Sequence, residues 1–301
     1  MYNWFYTLFL FACSSKNTDS SEIIPDVYDG PRQLDFLILD NGRMNLHRID
    51  EIGTQSWSVS VGSKPRDLVL LPQNRVLVSN QNGATIHDLS DGDETLLFDD
   101  YENVQSVVPM DSGYALFSQQ ENSVLVHIHT SDGIVHDSIT LSGYRDLRLA
   151  RIISGSTSSD LIFRFTASEP YRIVEVTADG NEIRSIPLDG KGYNVEEMED
   201  GSLLATTGDD ACLDQIDGDG NEIHTWGCES AHPDIGLDWS SGFSRSDDTH
   251  MVVSNWLGHS NWGNGPHVVE YDMNNNVTWN WADHEMAMQI TNVLVLDARG
   301  Q

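Results

Sequence analysis

Histidine, carboxylate and amide side chains are concentrated in three polar segments near the C-terminus, at residues 229–239, 255–267 and 283–289. Imidazole nitrogens and carboxylate oxygens are ligands for Zn²⁺, Mn²⁺ or Ca²⁺, and a bound metal activates water or polarises a carbonyl or phosphoryl group. The candidate ligands are His232, Asp234, Asp238, Asn255, His259, His267, His284 and Glu285. Their spacing matches no recognised metal motif, so a divalent-metal site and an ordinary polar loop surface both remain open.

Three tryptophans, Trp239, Trp256 and Trp262, share these segments with the histidines. Aromatic faces surrounded by amides suit stacking against a sugar ring or a peptide. Residues 255–266 also form a long stretch rich in Gly and Asn, and long loops in a compact fold tend to be functional. We therefore predict that the three segments together form a binding face.

The rest of the chain consists of repeated β-hairpin patterns. Residues 173–183 and 213–223 both contain Asp-Gly-Asn-Glu-Ile, preceded by an alternating strand pattern. The same shape recurs around Ile52-Gly53, Asp91-Gly92, Asp132-Gly133 and Asn274-Asn275-Asn276. Each of these hairpins pairs with another one, so each unit holds four strands, and the units begin near residues 65, 104, 147, 193, 240 and 290. A period of about 40 to 50 residues is that of a four-stranded propeller blade.

The two ends of the chain complete one blade. Residues 34–40, 44–50 and 54–61 match the second, third and fourth strands of a unit, and residues 290–297 match only the first. A C-terminal innermost strand that completes the N-terminal blade leaves no unpaired sheet edge. We predict an all-β, six-bladed β-propeller over residues 34–301, with a truncated seven-bladed ring as the alternative.

Four tryptophans outside the polar segments, Trp57, Trp226, Trp279 and Trp281, fall on the fourth strands of their units. Because large aromatic side chains dominate burial, we predict that they pack at the seams between blades.

Residues 200–226 and 268–281 resemble blades of bacterial propellers of the arylsulfotransferase-like, PQQ-like and NHL-like group. In those families a blade has, in chain order, an apolar strand, an Asn/Asp-Gly turn, a second strand, an acidic-Gly turn and a strand that contains Trp. The resemblance spans about residues 34–297 and implies the fold rather than one activity. Arylsulfotransferases use a histidine with arginine partners around a central cavity. Arg66 and Arg145 are the arginines in suitable loops here, and no motif matches that set or a PQQ cage.

The chain is strongly acidic, with 16 basic and 47 acidic residues and a net charge of −31. Such a surface argues against nucleic-acid partners and against direct binding to anionic lipids, since phosphate binding needs clustered Lys and Arg. It suits cationic partners, divalent metals or simple solubility.

The N-terminus has the pattern of a targeting segment. Residues 4–12 are almost wholly apolar, too few to span a bilayer but enough for the apolar region of a signal peptide. They lead into Leu10-Phe11-Ala12-Cys13, which resembles a bacterial lipobox with Cys13 as the lipidated residue. We predict a lipoprotein-type signal peptide over residues 1–13 and a flexible polar tether over 14–33. An ordinary secretory signal and a retained anchor are the alternatives.

The other two cysteines, Cys212 and Cys228, flank a predicted hairpin centred on Asp219-Gly220. Position 212 falls opposite 227 or 228 in such a hairpin, which brings the two sulfurs close enough for a disulfide. A disulfide implies an oxidising compartment; two free buried thiols are the alternative.

These features predict an exported protein, held at a membrane only by its lipid and facing the periplasm or the cell exterior. The leading hypothesis is a non-catalytic binding or scaffold module for a protein or carbohydrate ligand, with no certain cofactor. The alternative is a propeller enzyme with its site on the loop face of the fourth to sixth blades. It would be a metal-assisted hydrolase or lyase, or an arylsulfotransferase-like group transferase.

Overall fold

A computed structural model describes residues 34–155, 157–258 and 261–296 of the chain. The predicted signal peptide, Cys13 and the tether lie outside these residues, and so does His259. The described residues form the following strands: β1 (Phe36–Asp40), β2 (Asn45–Ile49), β3 (Gln55–Ser60), β4 (Asp67–Leu71), β5 (Arg75–Asn80), β6 (Gly83–Asp88), β7 (Glu94–Phe98), β8 (Val104–Met110), β9 (Gly113–Gln119), β10 (Ser123–Thr130), β11 (Val135–Ser142), β12 (Ala150–Ser154), β13 (Ile162–Ala167), β14 (Arg172–Thr177), β15 (Glu182–Pro187), β16 (Gly192–Glu197), β17 (Leu203–Thr207), β18 (Cys212–Ile216), β19 (Glu222–Gly227), β20 (Ser240–Asp247), β21 (His250–Asn255), β22 (Val268–Asp272), β23 (Val277–Trp281) and β24 (Ile290–Val295).

The strands form six antiparallel four-stranded sheets, which are the blades of a six-bladed β-propeller. Blade 1 consists of β24, β1, β2 and β3, and blades 2 to 6 take the remaining strands four at a time in chain order. Pairing of β24 with β1, with Phe36 opposite Val295, closes the ring between the two ends of the chain. The predicted fold, blade count and closure are confirmed.

The apolar core is divided among the six seams between neighbouring blades, with one buried cluster in each. Second strands are covered on both faces and are therefore largely buried, as in β1, where all five residues are buried. Outermost strands such as β3 are largely polar and exposed. At one seam Phe117 of blade 3 meets Phe163 of blade 4 edge to face, with ring centroids 5.5 Å apart.

Tryptophans on the outermost strands of blades 1, 5 and 6 join each of these blades to the next, as predicted. Trp57 of blade 1, Trp226 of blade 5 and Trp281 of blade 6 donate their indole N–H groups across a seam. The acceptors are backbone carbonyl oxygens of Leu89, Asp272 and Gly53, at 3.0, 3.0 and 3.2 Å. Trp279 packs edge-on against Phe36, at 5.6 Å between ring centroids.

The acidic turns between third and fourth strands are stabilised by their own first carboxylate. Asp217 Oδ1 accepts the backbone N–H groups of Asp219 and Asn221, both at 2.8 Å, and Gly220 has a φ of +89°. Asp272 does the same in blade 6. These are Asx turns, in which a glycine or asparagine takes the left-handed conformation.

Cys212 and Cys228 form the predicted disulfide, with Cα atoms 4.3 Å apart. Cys212 lies opposite Gly227 in the β18–β19 ladder, so the bridge joins the end of the outermost strand of blade 5 to its neighbour. Among the residues that the structure describes, no helix could cross a membrane.

The two ends of the ring differ in what they carry. One end, here called the connection face, carries the blade-to-blade connections and the links between second and third strands. Residues 229–239 and 283–289 are blade-to-blade connections, and residues 256–267 link the second and third strands of blade 6. The three predicted segments therefore start from the connection face.

Candidate functional site

Asn255 anchors the long connection of blade 6. Its side-chain oxygen accepts the backbone N–H of Asp238 at 2.8 Å, and its side-chain nitrogen donates to the carbonyl oxygens of Pro266 and Gly236 at 2.8 and 3.1 Å. The residue is buried, so these bonds satisfy a polar group that would otherwise be costly to bury. Asn255 thus positions two of the predicted segments against each other rather than facing solvent.

Trp239 and Trp256 form a perpendicular pair on this face, with ring centroids 6.3 Å apart. Each ring lies against a glycine. A Cβ at Gly208 would be 1.8 Å from the Trp239 ring, and one at Gly258 would be 2.0 Å from the Trp256 ring. Both glycines are therefore required by close ring-to-backbone contact, and both indoles are only partly exposed.

Trp262, in the same link between strands as Trp256, is 49 % exposed. It lies in a turn in which the Asn264 N–H donates to the Asn261 carbonyl oxygen at 3.0 Å. The Asn261 side chain donates to Asp238 Oδ1 at 2.7 Å, which ties the turn to the preceding blade-to-blade connection. An exposed indole is thereby held in an ordered turn with amide groups on both sides.

His267 and His284 form a second group, at the seam between blades 6 and 1. Their ring centroids are 4.6 Å apart, and the backbone N–H of Asp283 donates to His267 Nδ1 at 3.3 Å. His267 Nε2 and His284 Nδ1 are buried without a hydrogen-bond partner. Burial, followed by the charge of His284, lowers the pKa of His267 to about 4, so the ring is neutral at pH 7.

Asp40 ties together the two connections beside this histidine pair. Its carboxylate accepts the backbone N–H groups of Gly42, Arg43, Met288 and Gln289, at 2.8 to 3.2 Å. These bonds join the second-to-third-strand link of blade 1 to the connection entering β24. The site next to His267 is therefore a rigid part of the ring closure.

His232 and Asp234 lie apart from both groups. His232 Nε2 is 3.2 Å from the side-chain oxygen of Asn275, in a third-to-fourth-strand turn of blade 6, and its ring packs on Tyr271. Asp234 is exposed. Within residues 34–155, 157–258 and 261–296, no group of three or more His, Cys, Asp or Glu side chains is arranged to hold a metal ion. The described residues thus bring together Trp239 and Trp256, and separately His267 and His284.

A polar cluster on the propeller axis was missed by the sequence analysis. Asp67, buried on β4, accepts two bonds from the Arg151 guanidinium of blade 4, at 2.8 and 3.2 Å. The Ser106 hydroxyl of blade 3 donates to the same carboxylate at 2.5 Å, and Asn292 of blade 1 lies 3.5 Å from it. Asn194 of blade 5 completes the cluster, 3.5 Å from Arg151. In the sequence, the only sign of this cluster is that the first strand of each blade has a polar residue near its start.

An open polar cleft of about 590 Å³ lies on the connection face between blades 3 and 4. Its rim includes Arg145, which pairs with Glu169 at 2.8 Å and with the side-chain oxygen of Asn122. Glu102 and Glu121 also line it, so the cleft is mainly acidic and amide-lined.

The chain matches no protein-family model, and no curated protein is similar to it in sequence. Solved structures are similar in fold. A protein of unknown function from Bacteroides caccae has a TM-score of 0.72 at 15 % identity, over 87 % of this chain and 98 % of that one. A chain of a nidogen/laminin complex has a TM-score of 0.57 at 12 % identity, over 88 % and 99 %. A virginiamycin B lyase from Staphylococcus aureus, with quinupristin, has a TM-score of 0.51 at 12 % identity, over 84 % and 85 %. At these identities the likeness shows the fold alone.

Proposed function

We propose that this protein is an exported, lipid-anchored propeller that binds a carbohydrate, without catalysis, on the connection face of blade 6. The observation that carries the proposal is the exposed indole of Trp262, held in an ordered turn that Asn261 ties to Asp238, the residue before Trp239. An aromatic face supplies apolar stacking area, and neighbouring amides supply hydrogen bonds to hydroxyl groups.

The order of the Trp262 turn supports a preformed site. Asn255 is buried and bonded to both flanking segments, and Asn261 is bonded to Asp238, so little conformational freedom is lost when a ligand binds. Asn264, two residues after Trp262, is exposed, so its side-chain amide is available to ligand hydroxyls.

The disulfide between Cys212 and Cys228 supports the exported location, because such bonds persist in oxidising compartments. Anchoring through Cys13 rests on the lipobox-like sequence alone. Metabolic labelling with a fatty acid tests it: the wild-type chain should incorporate label and a Cys13→Ser variant should not. Equal labelling of both would contradict the anchor.

A glycan array tests the binding proposal. The wild-type protein should retain at least one glycan class, and Trp262→Ala should weaken that binding about tenfold, since losing one stacked aromatic costs roughly 1.4 kcal/mol. Tyr171→Ala is the matched control, because Tyr171 is a 39 % exposed aromatic on blade 4. Retention of no glycan, or equal binding by the Trp262 variant, would contradict the proposal. Retention of peptides alone would point to a protein ligand instead.

A further inference from the structure

Three hydrogen-bond donors converge over the propeller axis at the connection face. Arg66 immediately precedes β4 in blade 2, Arg148 precedes β12 in blade 4, and Tyr193 lies at the start of β16 in blade 5. The Leu149 N–H donates to the Tyr193 carbonyl oxygen at 3.1 Å, which brings the starts of blades 4 and 5 together. Blades 2 and 5 lie on opposite sides of a six-bladed ring, so Arg66 and Tyr193 meet only over its axis.

These donors have almost no protein acceptors. Tyr193 is only 5 % exposed, and its hydroxyl lies beside the Arg66 guanidinium. The geometry between the two is too poor for a normal hydrogen bond, and neither the hydroxyl nor Arg66 Nε has another partner in the part of the chain that the structure describes. Among the described residues, no carboxylate lies within ion-pair distance of Arg66 or Arg148. Asp146 acts on Arg148 only at longer range, since its carboxylate pairs with Lys191 at 3.2 Å. Two unpaired arginines are notable in a chain with 47 acidic residues.

Asp67, the carboxylate next to Arg66 in the chain, already has other partners. Asp67 follows Arg66 in the chain, but it binds Arg151 through both oxygens and also accepts the Ser106 hydroxyl. Glu196 also acts on Arg151, and neither Asp67 nor Glu196 forms an ion pair with Arg66 or Arg148. Burial and then the charge of Arg66 lower the pKa of Arg148, as expected for two guanidinium groups that share a site without an anion.

We propose that Arg66, Arg148 and Tyr193 form a binding site for an oxyanion at the mouth of the propeller axis. The oxyanion is a carboxylate, sulfate or phosphate group, either free or at the end of a larger ligand. Guanidinium forks match the oxygen geometry of these groups, and the phenol supplies a further donor. The site is independent of the Trp262 turn, because it is built from blades 2, 4 and 5.

Calorimetric titration of the purified protein with sodium sulfate, phosphate and acetate, at constant ionic strength, tests the site. We expect saturable binding of one anion per chain. Arg66→Gln and Arg148→Gln should each weaken it at least tenfold, and Tyr193→Phe by less, because hydrogen bonds to a charged group are worth about 1.5–3 kcal/mol. Tighter binding of acetate would identify a carboxylate group, and tighter binding of sulfate or phosphate a tetrahedral one.

Arg75→Gln is the matched control, since Arg75 is on blade 2 like Arg66 but follows the turn at the opposite face. Its anion affinity should stay within about twofold of the wild type, a change of about 0.4 kcal/mol. Melting in chloride alone checks folding: the Arg66 and Arg148 variants should melt no lower than the wild type, because one like charge has been removed. Absence of saturable binding of any of the three anions, or undiminished binding by the Arg66→Gln, Arg148→Gln double variant, would overturn the proposal.

Discussion

Acidification should destabilise the propeller through His267, at the seam where the ring closes. His267 is fully buried, and its pKa falls from 6.5 to about 4. Burial is the largest cause, followed by the charge of His284. The carboxylates of Asp40 and Asp283 oppose this effect, and Arg43 adds a smaller lowering. The folded protein therefore favours the neutral ring, whereas the unfolded chain protonates at the ordinary value.

The sign and size of the effect follow from linkage. Between pH 6.5 and 4 the unfolded chain binds a proton that the folded state does not, so the free energy of unfolding falls as pH falls through this window. At about 1.4 kcal/mol per pKa unit, the loss reaches about 2 kcal/mol at pH 5 and about 3 kcal/mol near pH 4. Above pH 7, His267 is neutral in both the folded and the unfolded state, so it adds no pH dependence to the free energy of unfolding.

Urea denaturation between pH 7.5 and 4 measures this effect. His267→Asn keeps a side-chain acceptor for the Asp283 N–H and removes the titration, so its stability should fall less steeply with pH than that of the wild type. Burial also lowers the pKa values of His47, His87 and His127, so the difference between variants, not the absolute slope, is the test. His136→Asn, at an exposed histidine, should follow the wild-type slope. Parallel profiles for the His267 variant and the wild type would refute the reasoning.

Three further changes test how the ring is held together. Trp281→Phe removes the indole N–H that donates to Gly53 and should lower the free energy of unfolding by about 1–2 kcal/mol in a urea titration; an unchanged value would mean that the bond adds nothing beyond ring packing. Reduction of the Cys212–Cys228 disulfide, which spans 16 residues, should cost about 3 kcal/mol, and Cys212→Ser should show the same loss without a further effect of reductant. Asp67→Asn should cost about 3 kcal/mol because it removes the buried carboxylate that pairs with the partly buried Arg151, and adding Arg151→Met should restore most of the loss. Equal stability of the single and double variants would contradict that coupling.

Local signals were enough to predict most of the fold. The Asp-Gly turns of blades 2 to 5, with Gly92, Gly133, Gly180 and Gly220 in left-handed conformations, mark where the outer hairpins reverse. The spacing of those turns predicted the first strand of every blade. The single first-strand pattern at the C-terminus predicted the closure through β24. Turn chemistry and strand periodicity act over a few residues and can be read directly from the chain.

The site could be predicted only in part, because its contacts join distant residues. Asp67 and Asn292 are 225 positions apart and meet only when the ring closes. His232 shares a predicted segment with Trp239, yet it contacts Asn275, a residue of an outer turn. Residues 229–239 run from the outermost strand of one blade to the innermost strand of the next. Side chains that are close in this sequence can therefore lie at different distances from the axis and in different sites.

The axis cluster also links blades that share no seam. Asp67 of blade 2 pairs with Arg151 of blade 4, whose charge Glu196 of blade 5 also stabilises, and the Ser106 hydroxyl of blade 3 donates to the same Asp67 carboxylate. Between blades 6 and 1, Gly242 leaves room for Asn292, since a Cβ at position 242 would be 2.1 Å from the Asn292 oxygen. Because Asp67 is engaged by Arg151, it is not available to pair with Arg66, as the proposed oxyanion site requires.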